Sequence, residues 1–343
     1  MATPARPRVV LAMSRDTRDQ LFTPELARRL RAAAEVDLDT VIDDFADPGP
    51  GGAAALAAAE ILLTGWGAPR VDVRALDLMP RLRTIVHAAG TVKPYVAPEV
   101  FEYGVQVAAS VEANAVPVAE FTFAAIVYAA KRVARFAREY RSRRDLGARR
   151  DAGLPPDAVG ANGIVIGVVG ASRVGRRVLR LLANLRVSVL ITDPYLTPEE
   201  ARALGAVTTT LDDLMTRSDI VTLHAPALPE TRHMIGEDQL AAMKDNAVLI
   251  NTARGMLVDT GALTAELRTG RIEAVLDVTD PEPLPADSPL FGLPNVQLTP
   301  HIAGAMGNEV PRLLEQAVGE IERLAAGLAL WYPVTAADLE RIA

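Results

Sequence analysis

A chain of 343 residues exceeds one ordinary hydrophobic core and suits two domains, and with half its residues hydrophobic it is globular, not disordered. A net charge of −7 argues against a nucleic-acid partner, and the lack of any cysteine excludes disulfides, thiolate chemistry and cysteine–metal sites. Neither a signal-peptide core at residues 1–8 nor an uninterrupted apolar run of about 18 residues is legible, so a cytoplasmic protein without membrane contact is expected.

Arg8-Val9-Val10-Leu11-Ala12-Met13 reads as a first strand. Thr23 then supplies an N-cap and Pro24 the first helical position of a helix through Ala34. A loop rich in Asp, Pro and Gly covers residues 43–52, followed by a short helix and the strand Ile61-Leu62-Leu63-Thr64. A further helix ends at Pro80, and Thr84-Ile85-Val86-His87-Ala88 is the next strand. This alternation reads as a small parallel sheet covered by helices.

Ligands in open α/β sheets bind at strand ends, and two ends here carry unusual residues. Trp66 stands between Gly65 and Gly67, either as a lid over its own core or as a wall facing substrate. Ala89-Gly90-Thr91 follows the next strand, where successive N–H groups can nest a carboxylate. His87, on the strand itself, reads as a packed structural histidine.

One long helix is predicted from Asn114 to about Arg144, with Lys131, Arg135 and Arg138 as a basic stripe on a solvated or dimer-facing surface. The domain change is placed near Glu112. Residues 1–112, completed by 309–343, form a substrate-binding domain, and residues 113–308 a dinucleotide-binding one.

The β-branched run Ile164-Val165-Ile166-Gly167-Val168-Val169 flows into Gly170-Ala171-Ser172-Arg173-Val174-Gly175 and then into helical spacing. Strand, glycine-rich turn and helix open a dinucleotide-binding fold, in which backbone N–H groups and the helix N-terminus meet a pyrophosphate. In G-x-G-x-x-G terms the three positions are Gly170, Ser172 and Gly175, so a serine stands where the backbone approaches phosphate. The strand Val187-Ser188-Val189-Leu190-Ile191-Thr192 ends at Asp193, 18 positions after Gly175 (193 − 175). A carboxylate there grips ribose hydroxyls and repels the extra phosphate of NADP, which points to NAD. Strands at Ile220-Val221-Thr222-Leu223, Ala247-Val248-Leu249-Ile250, Ala274-Val275-Leu276 and Val296-Gln297-Leu298 complete a predicted six-stranded sheet. A helix from Asn308 to about Ala326 follows, and the tail at residues 330–334 should return to the first domain.

Three strand ends of the second domain carry chemistry. Asn251-Thr252-Ala253-Arg254-Gly255 offers a guanidinium that can bind a carboxylate and polarise a neighbouring carbonyl. Asp277-Val278-Thr279-Asp280-Pro281-Glu282-Pro283 and Thr299-Pro300-His301 offer a Glu–His pair for general acid–base work. Each has a bland reading: a surface ion pair for Arg254, loop filler for Glu282, a turn residue for His301.

Ser218-Asp219-Ile220-Val221-Thr222-Leu223-His224-Ala225-Pro226, Glu230-Thr231-Arg232, Ile250-Asn251-Thr252-Ala253-Arg254-Gly255, Leu276-Asp277-Val278, Glu282-Pro283-Leu284 and Pro300-His301-Ile302 together resemble the D-isomer-specific 2-hydroxyacid dehydrogenases. The resemblance implies two Rossmann-like or flavodoxin-like parallel-sheet α/β domains, an interdomain active-site cleft, NAD as cofactor and no metal. It makes Arg254 the residue for the substrate carboxylate and carbonyl, His301 the acid–base group and Glu282 its partner. Gly170, Ser172, Arg173, Val174, Gly175, Asp193, His224, Pro226, Thr252, Asp277 and Ala303 would line NAD, with Asp277 at the nicotinamide carboxamide. Ala89, Gly90, Thr91 and Trp66 would contact substrate. A homodimer through the NAD-binding domain is implied as well.

The chain departs from the family at Ser172, and the spacing of 28 from Arg254 to Glu282 (282 − 254) is one residue shorter than is usual there. Glutamate at 282 argues against the formate dehydrogenase branch, which carries glutamine. The alternative from another class is a regulatory or scaffolding protein that binds NAD(H) without turnover. The intact Arg254, Glu282 and His301 favour the enzyme.

Overall fold

The computed structural model describes residues 6–149 and 153–339. The chain forms two compact units, passing from the first to the second after Ala115 and returning after Gly304, where the sequence places these changes at 112 and 308.

The first unit is built on strands β1 (Arg8–Ala12), β2 (Glu35–Ile42), β3 (Ile61–Thr64), β4 (Thr84–His87) and β5 (Gln106–Ala109), paired in parallel. A parallel sheet is buried on both faces, which is why β3 and β4 have no exposed positions. Side chains alternate between those faces. Leu11, Leu63 and Val86 join one apolar cluster, and Val10, Leu62 and Ile85 join the other. Thr23 caps the helix Pro24–Ala33 through its hydroxyl, as its place before a proline predicts. β2 is unanticipated, because Glu35, Asp37 and Asp39 break its apolar pattern; it is the sheet's edge, where charge is tolerated.

The second unit holds β6 (Val165–Val169), β7 (Ser188–Thr192), β8 (Val207–Thr208), β9 (Ile220–Leu223), β10 (Val248–Asn251), β11 (Glu273–Leu276) and β12 (Val296–Leu298). Their order is β12-β11-β10-β9-β6-β7-β8, all parallel. The sheet therefore has seven strands, not six, since the two-residue β8 adds to the β7 edge. Chain order reverses on either side of β6, the switch point at which such sheets bind their ligands.

The predicted single helix over 114–144 is two helices, Val111–Ala130 and Val133–Arg143. Arg132 breaks them with a left-handed backbone (φ 54°) that turns its side chain inward. Its guanidinium donates to the Ala158 carbonyl at 3.0 Å and the Asn246 carbonyl at 2.5 Å, and lies 3.8 Å from Glu273. Nor is the basic stripe one free surface. Arg135 pairs with Glu273 at 3.6 Å, and Arg138 donates to the Pro294 carbonyl. By length and composition Val111–Ala130 could cross a membrane, and less than half of that stretch is buried. It nonetheless carries Glu112 and Glu120, and it packs Ala119, Ile126 and Ala130 into the second unit's core.

After Gly304 the helix Pro311–Ala325 buries Leu313, Leu314 and Ile321 in the first unit. β13 (Pro333–Val334) then pairs antiparallel with β5, giving the order β13-β5-β4-β3-β1-β2. Buried Glu320 accepts the N–H groups of Trp331 and Tyr332 and so ties down that tail.

Candidate active site

The glycine-rich turn after β6 owes its shape to contacts that leave no room for side chains. Gly170 has φ 98°, and a Cβ there would lie 2.6 Å from the Ala225 nitrogen; at Gly175 it would overlap the Gly170 carbonyl. Ser172 needs no glycine, because its φ is −60°. Its hydroxyl accepts the Gly175 N–H at 3.3 Å and caps the helix Arg173–Leu182. The serine thus has a structural task in place of the missing glycine. The Ser172 and Val174 N–H groups have no acceptor among the described residues, as an anion site at a helix start requires.

Asp193, at the tip of β7, bends back to the turn. Its Oδ2 accepts the Ala171 N–H at 2.7 Å and its Oδ1 the Tyr195 N–H at 2.8 Å. The turn, the helix start and the acid fit a dinucleotide with an unphosphorylated ribose. His224 is 2% exposed, bonded through Nε2 to the Thr222 hydroxyl at 3.0 Å, and burial lowers its pKa to about 3. Its Nδ1 is buried without a partner among the described residues. Its Cβ lies beside Gly175, the residue is a neutral strand-end histidine, and Pro226 follows it half-buried.

Arg254 follows β10 in a loop shaped by Asn251. That side chain donates to the Arg254 carbonyl at 2.9 Å and accepts the Ala253 N–H at 3.0 Å. The guanidinium is half-buried and donates to the Ala253 carbonyl at 2.6 Å. Burial pulls its pKa below the ordinary value, while the Glu282 charge works the other way. Among the described residues no carboxylate lies within ion-pair distance of it, so its fork is open to an anionic ligand. Buried Thr252 is held by the Thr122 hydroxyl at 2.7 Å.

Asp277, at the end of β11, is 1% exposed and shapes the last loop. Its Oδ1 accepts the Thr299 hydroxyl at 2.5 Å and the Ile302 N–H at 2.9 Å; its Oδ2 accepts the Ala303 N–H at 2.8 Å. The Asp277 carbonyl takes the His301 N–H at 2.9 Å. His301 adopts φ 54°, and its Nδ1 meets Glu282 Oε1 at 2.7 Å. Both side chains stay about half exposed, so the other imidazole nitrogen can exchange a proton with a ligand. The one-residue shortening between Arg254 and Glu282 does not keep the glutamate from reaching His301.

In the first unit, His87 is wholly buried. Its Nδ1 pairs with the Thr64 hydroxyl at 2.8 Å, its ring packs on Tyr95, and burial lowers its pKa to about 3. It anchors the loop Ala89-Gly90-Thr91, in which Ala89 is buried and Gly90 and Thr91 are half-buried. A Cβ on Gly90 would come 2.9 Å from Asn114 Nδ2, while Asn114 Oδ1 accepts the Ala305 N–H at 3.2 Å. Trp66 is half-buried against the apolar cluster that holds Leu11 and Leu313.

Several supporting residues escape sequence reasoning. Thr122 and Asn114 lie on a helix far in sequence from what they hold, and nothing in their own segment signals it. Gly255 has a recoverable signal in its place beside Arg254: a Cβ there would overlap the Thr279 carbonyl.

Residues 123–303 match the family model described as "D-isomer specific 2-hydroxyacid dehydrogenase, NAD binding domain". A glyoxylate reductase of Korarchaeum cryptofilum is 35% identical over 248 residues, which is 71% of this chain and 74% of that protein. A glyoxylate reductase of Aeropyrum pernix is 34% identical over 261 residues, 75% of this chain and 78% of its own length. Among solved structures, a D-lactate dehydrogenase of Aquifex aeolicus complexed with NAD and lactic acid is similar with a TM-score of 0.67 at 26% identity, covering 93% of this chain and 95% of that one.

Proposed function

Because the chain belongs to the D-isomer-specific 2-hydroxyacid dehydrogenases, and so transfers a hydride between NAD(H) and a 2-keto acid/2-hydroxy acid pair, we propose a division of labour among its residues. Arg254 binds the substrate carboxylate and polarises the adjacent carbonyl with its open guanidinium fork. His301 gives a proton to the carbonyl oxygen in reduction and takes it from the hydroxyl in oxidation. Glu282 holds the ring and favours its cationic form. The hydride comes from NADH when that cofactor is bound. Gly170 through Gly175 cradle its pyrophosphate, and Asp193 holds its ribose. His224, Pro226, Thr252, Asp277 and Ala303 line the rest of its site. The 2.7 Å contact between His301 Nδ1 and Glu282 Oε1 carries this reading. A protein that only bound NAD(H) would need no such pair, and the family membership favours hydride transfer over that alternative.

The first unit takes the substrate side, through the N–H groups of Gly90 and Thr91 and through Trp66. Burying an apolar tail against Trp66 contributes roughly 1–3 kcal/mol, or about 10- to 100-fold in kcat/KM. A screen of glyoxylate, pyruvate and phenylpyruvate with NADH tests both points. Turnover of none of them, or of other 2-keto acids, removes the catalytic reading. A ranking unchanged by Trp66→Ala returns that tryptophan to a packing role.

The chain also pairs with a second copy through the NAD-binding unit. The incompletely covered apolar helix Val111–Ala130 and the exposed Tyr128, Tyr140 and Leu146 support this, and sedimentation at micromolar concentration checks it. A cytoplasmic setting, which supplies NAD(H), suits the reaction.

A further inference from the structure

Glu282 sits on a loop with little backbone support. Residues 278–287 donate no backbone N–H to a backbone carbonyl among the described residues, and Pro281, Pro283 and Pro285 have none to give. Side chains hold the loop instead. The Thr260 hydroxyl donates to the Asp280 carbonyl at 2.6 Å, and the Thr279 hydroxyl to the Pro281 carbonyl at 2.9 Å. The Asp280 carboxylate, two residues before Glu282, faces the turn after β9. There its Oδ2 lies 3.6 Å from Arg232 Nη1 and 4.0 Å from His233 Nε2.

That turn is a firm base. The His233 N–H donates to the Met256 carbonyl at 2.8 Å and the Ile235 N–H to the Leu257 carbonyl at 3.0 Å, with His233 left-handed at φ 52°. The charged groups facing His233 are Arg232 on its own turn, Asp280 on the loop, and Asp259, whose Oδ2 lies 3.5 Å from its Nδ1. Asp259 caps the helix Thr260–Arg268 and is held below the usual carboxylate range, first by the Ala262 N–H and then by His233 and Arg232.

We propose that Arg232 and His233 are positioning residues: they hold Asp280, and through it the loop that presents Glu282 to His301. The inference rests on His301 and Glu282 being the acid–base pair. These are half-exposed ion pairs, which add little to global stability, so their removal leaves a folded protein in which the effect is one of placement.

The sign of one measurement separates placement from simple electrostatics. Removing the Arg232 cation acts directly on His301 by stabilising imidazolium, which moves its titration upward. Releasing Glu282 from His301 removes the carboxylate that stabilises imidazolium, which moves the titration downward. The chain has four histidines, and two of them, His87 and His224, are buried, so the imidazole signals of His301 and His233 can be followed by NMR across pH. Arg232→Ala should move the His301 midpoint in the same direction as Glu282→Gln does, and Arg232→Lys should restore it. Turnover should fall about 10-fold in Arg232→Ala, with little further loss when Glu282→Gln is added and with NADH affinity unchanged. An unmoved or raised His301 midpoint in Arg232→Ala overturns the proposal. A wild-type protein that turns over no 2-keto acid overturns the catalytic reading instead, and the NMR titration judges the clamp separately.

Discussion

His301 Nδ1 and Glu282 Oε1 lie 2.7 Å apart although 19 residues separate them, and His301 reaches that contact with a left-handed backbone. The backbone is held there because Asp277 accepts from Thr299, Ile302 and Ala303 around it. A buried carboxylate with three donors fixes one loop, and the loop fixes the imidazole. His301→Ala should therefore lose on the order of 10² to 10⁴ in turnover with NADH affinity nearly unchanged. Glu282→Gln should shift the alkaline limb of the pH–rate profile to lower pH, since the charge that favours imidazolium is gone. Wild-type turnover in the His301 variant would show that another group carries the proton.

Asp193 is braced in the same way, its two oxygens accepting the Ala171 and Tyr195 N–H groups, and as the proposed ribose residue it should set cofactor choice. A carboxylate fixed beside the ribose site meets the 2′-phosphate of NADP at close range, and two such charges about 4 Å apart repel by several kcal/mol at an effective dielectric near 20. NADH should bind at least on the order of 10²-fold better than NADPH in a fluorescence titration. Asp193→Asn, which keeps the shape and removes the charge, should narrow that ratio. Equal binding of the two cofactors to the wild type would rule the assignment out.

Much of the fold was legible because parallel strands are apolar on both faces, as β3, β4 and β9 are. The edges were not: in β2 the acids alternate with Val36 and Leu38, the period of a half-exposed strand and not the unbroken apolar run of its neighbours, and β8, at two residues, is too short to show any period. The helix break at Arg132 was hidden too. Its cause is a pair of carbonyls, on Ala158 and Asn246, that no local pattern predicts. At the site, Arg254, Glu282 and His301 stood out because each follows an apolar strand. Their supports lay unseen, because Asp280 finds Arg232, and Thr122 finds Thr252, only once distant segments fold together.

Two buried histidines should make the protein sensitive to acid. His87 and His224 both have folded pKa values of about 3 against an ordinary 6.5, with burial the largest cause. The unfolded chain takes up protons that the native state refuses. The stabilisation is therefore complete above about pH 6.5 and is lost progressively as pH falls towards 3. Each histidine contributes up to about 1.4 kcal/mol per pH unit within that window. Urea midpoints measured from pH 7.5 to 4.5 should fall accordingly. His87→Gln, which still offers Thr64 a hydrogen bond, should lower the slope even if it lowers every midpoint. An unchanged slope would place the acid sensitivity elsewhere.

Gly255 decides whether the Arg254 loop and the Glu282 loop can lie against each other. A methyl group at 255 would occupy the space of the Thr279 carbonyl and come 2.6 Å from the Asp280 nitrogen, and backbone cannot swing aside as a flexible side chain can. Accommodating it forces the two loops apart, a strain of about 1–3 kcal/mol, and displaces the guanidinium next to it. Gly255→Ala should thus raise KM for the 2-keto acid and lower kcat/KM at least about 10-fold. NADH affinity should change little, because the turn at Gly170 and the acid at Asp193 are untouched. Gly319→Ala is the matched control: its Cβ meets nothing within 4 Å on the helix Pro311–Ala325. That change should leave catalysis alone and stabilise by roughly 0.5–1 kcal/mol, since glycine is a poor helix residue. Equal kinetics for Gly255→Ala and the wild type would mean that the loops yield without moving Arg254, and that glycine at 255 serves only to ease the turn.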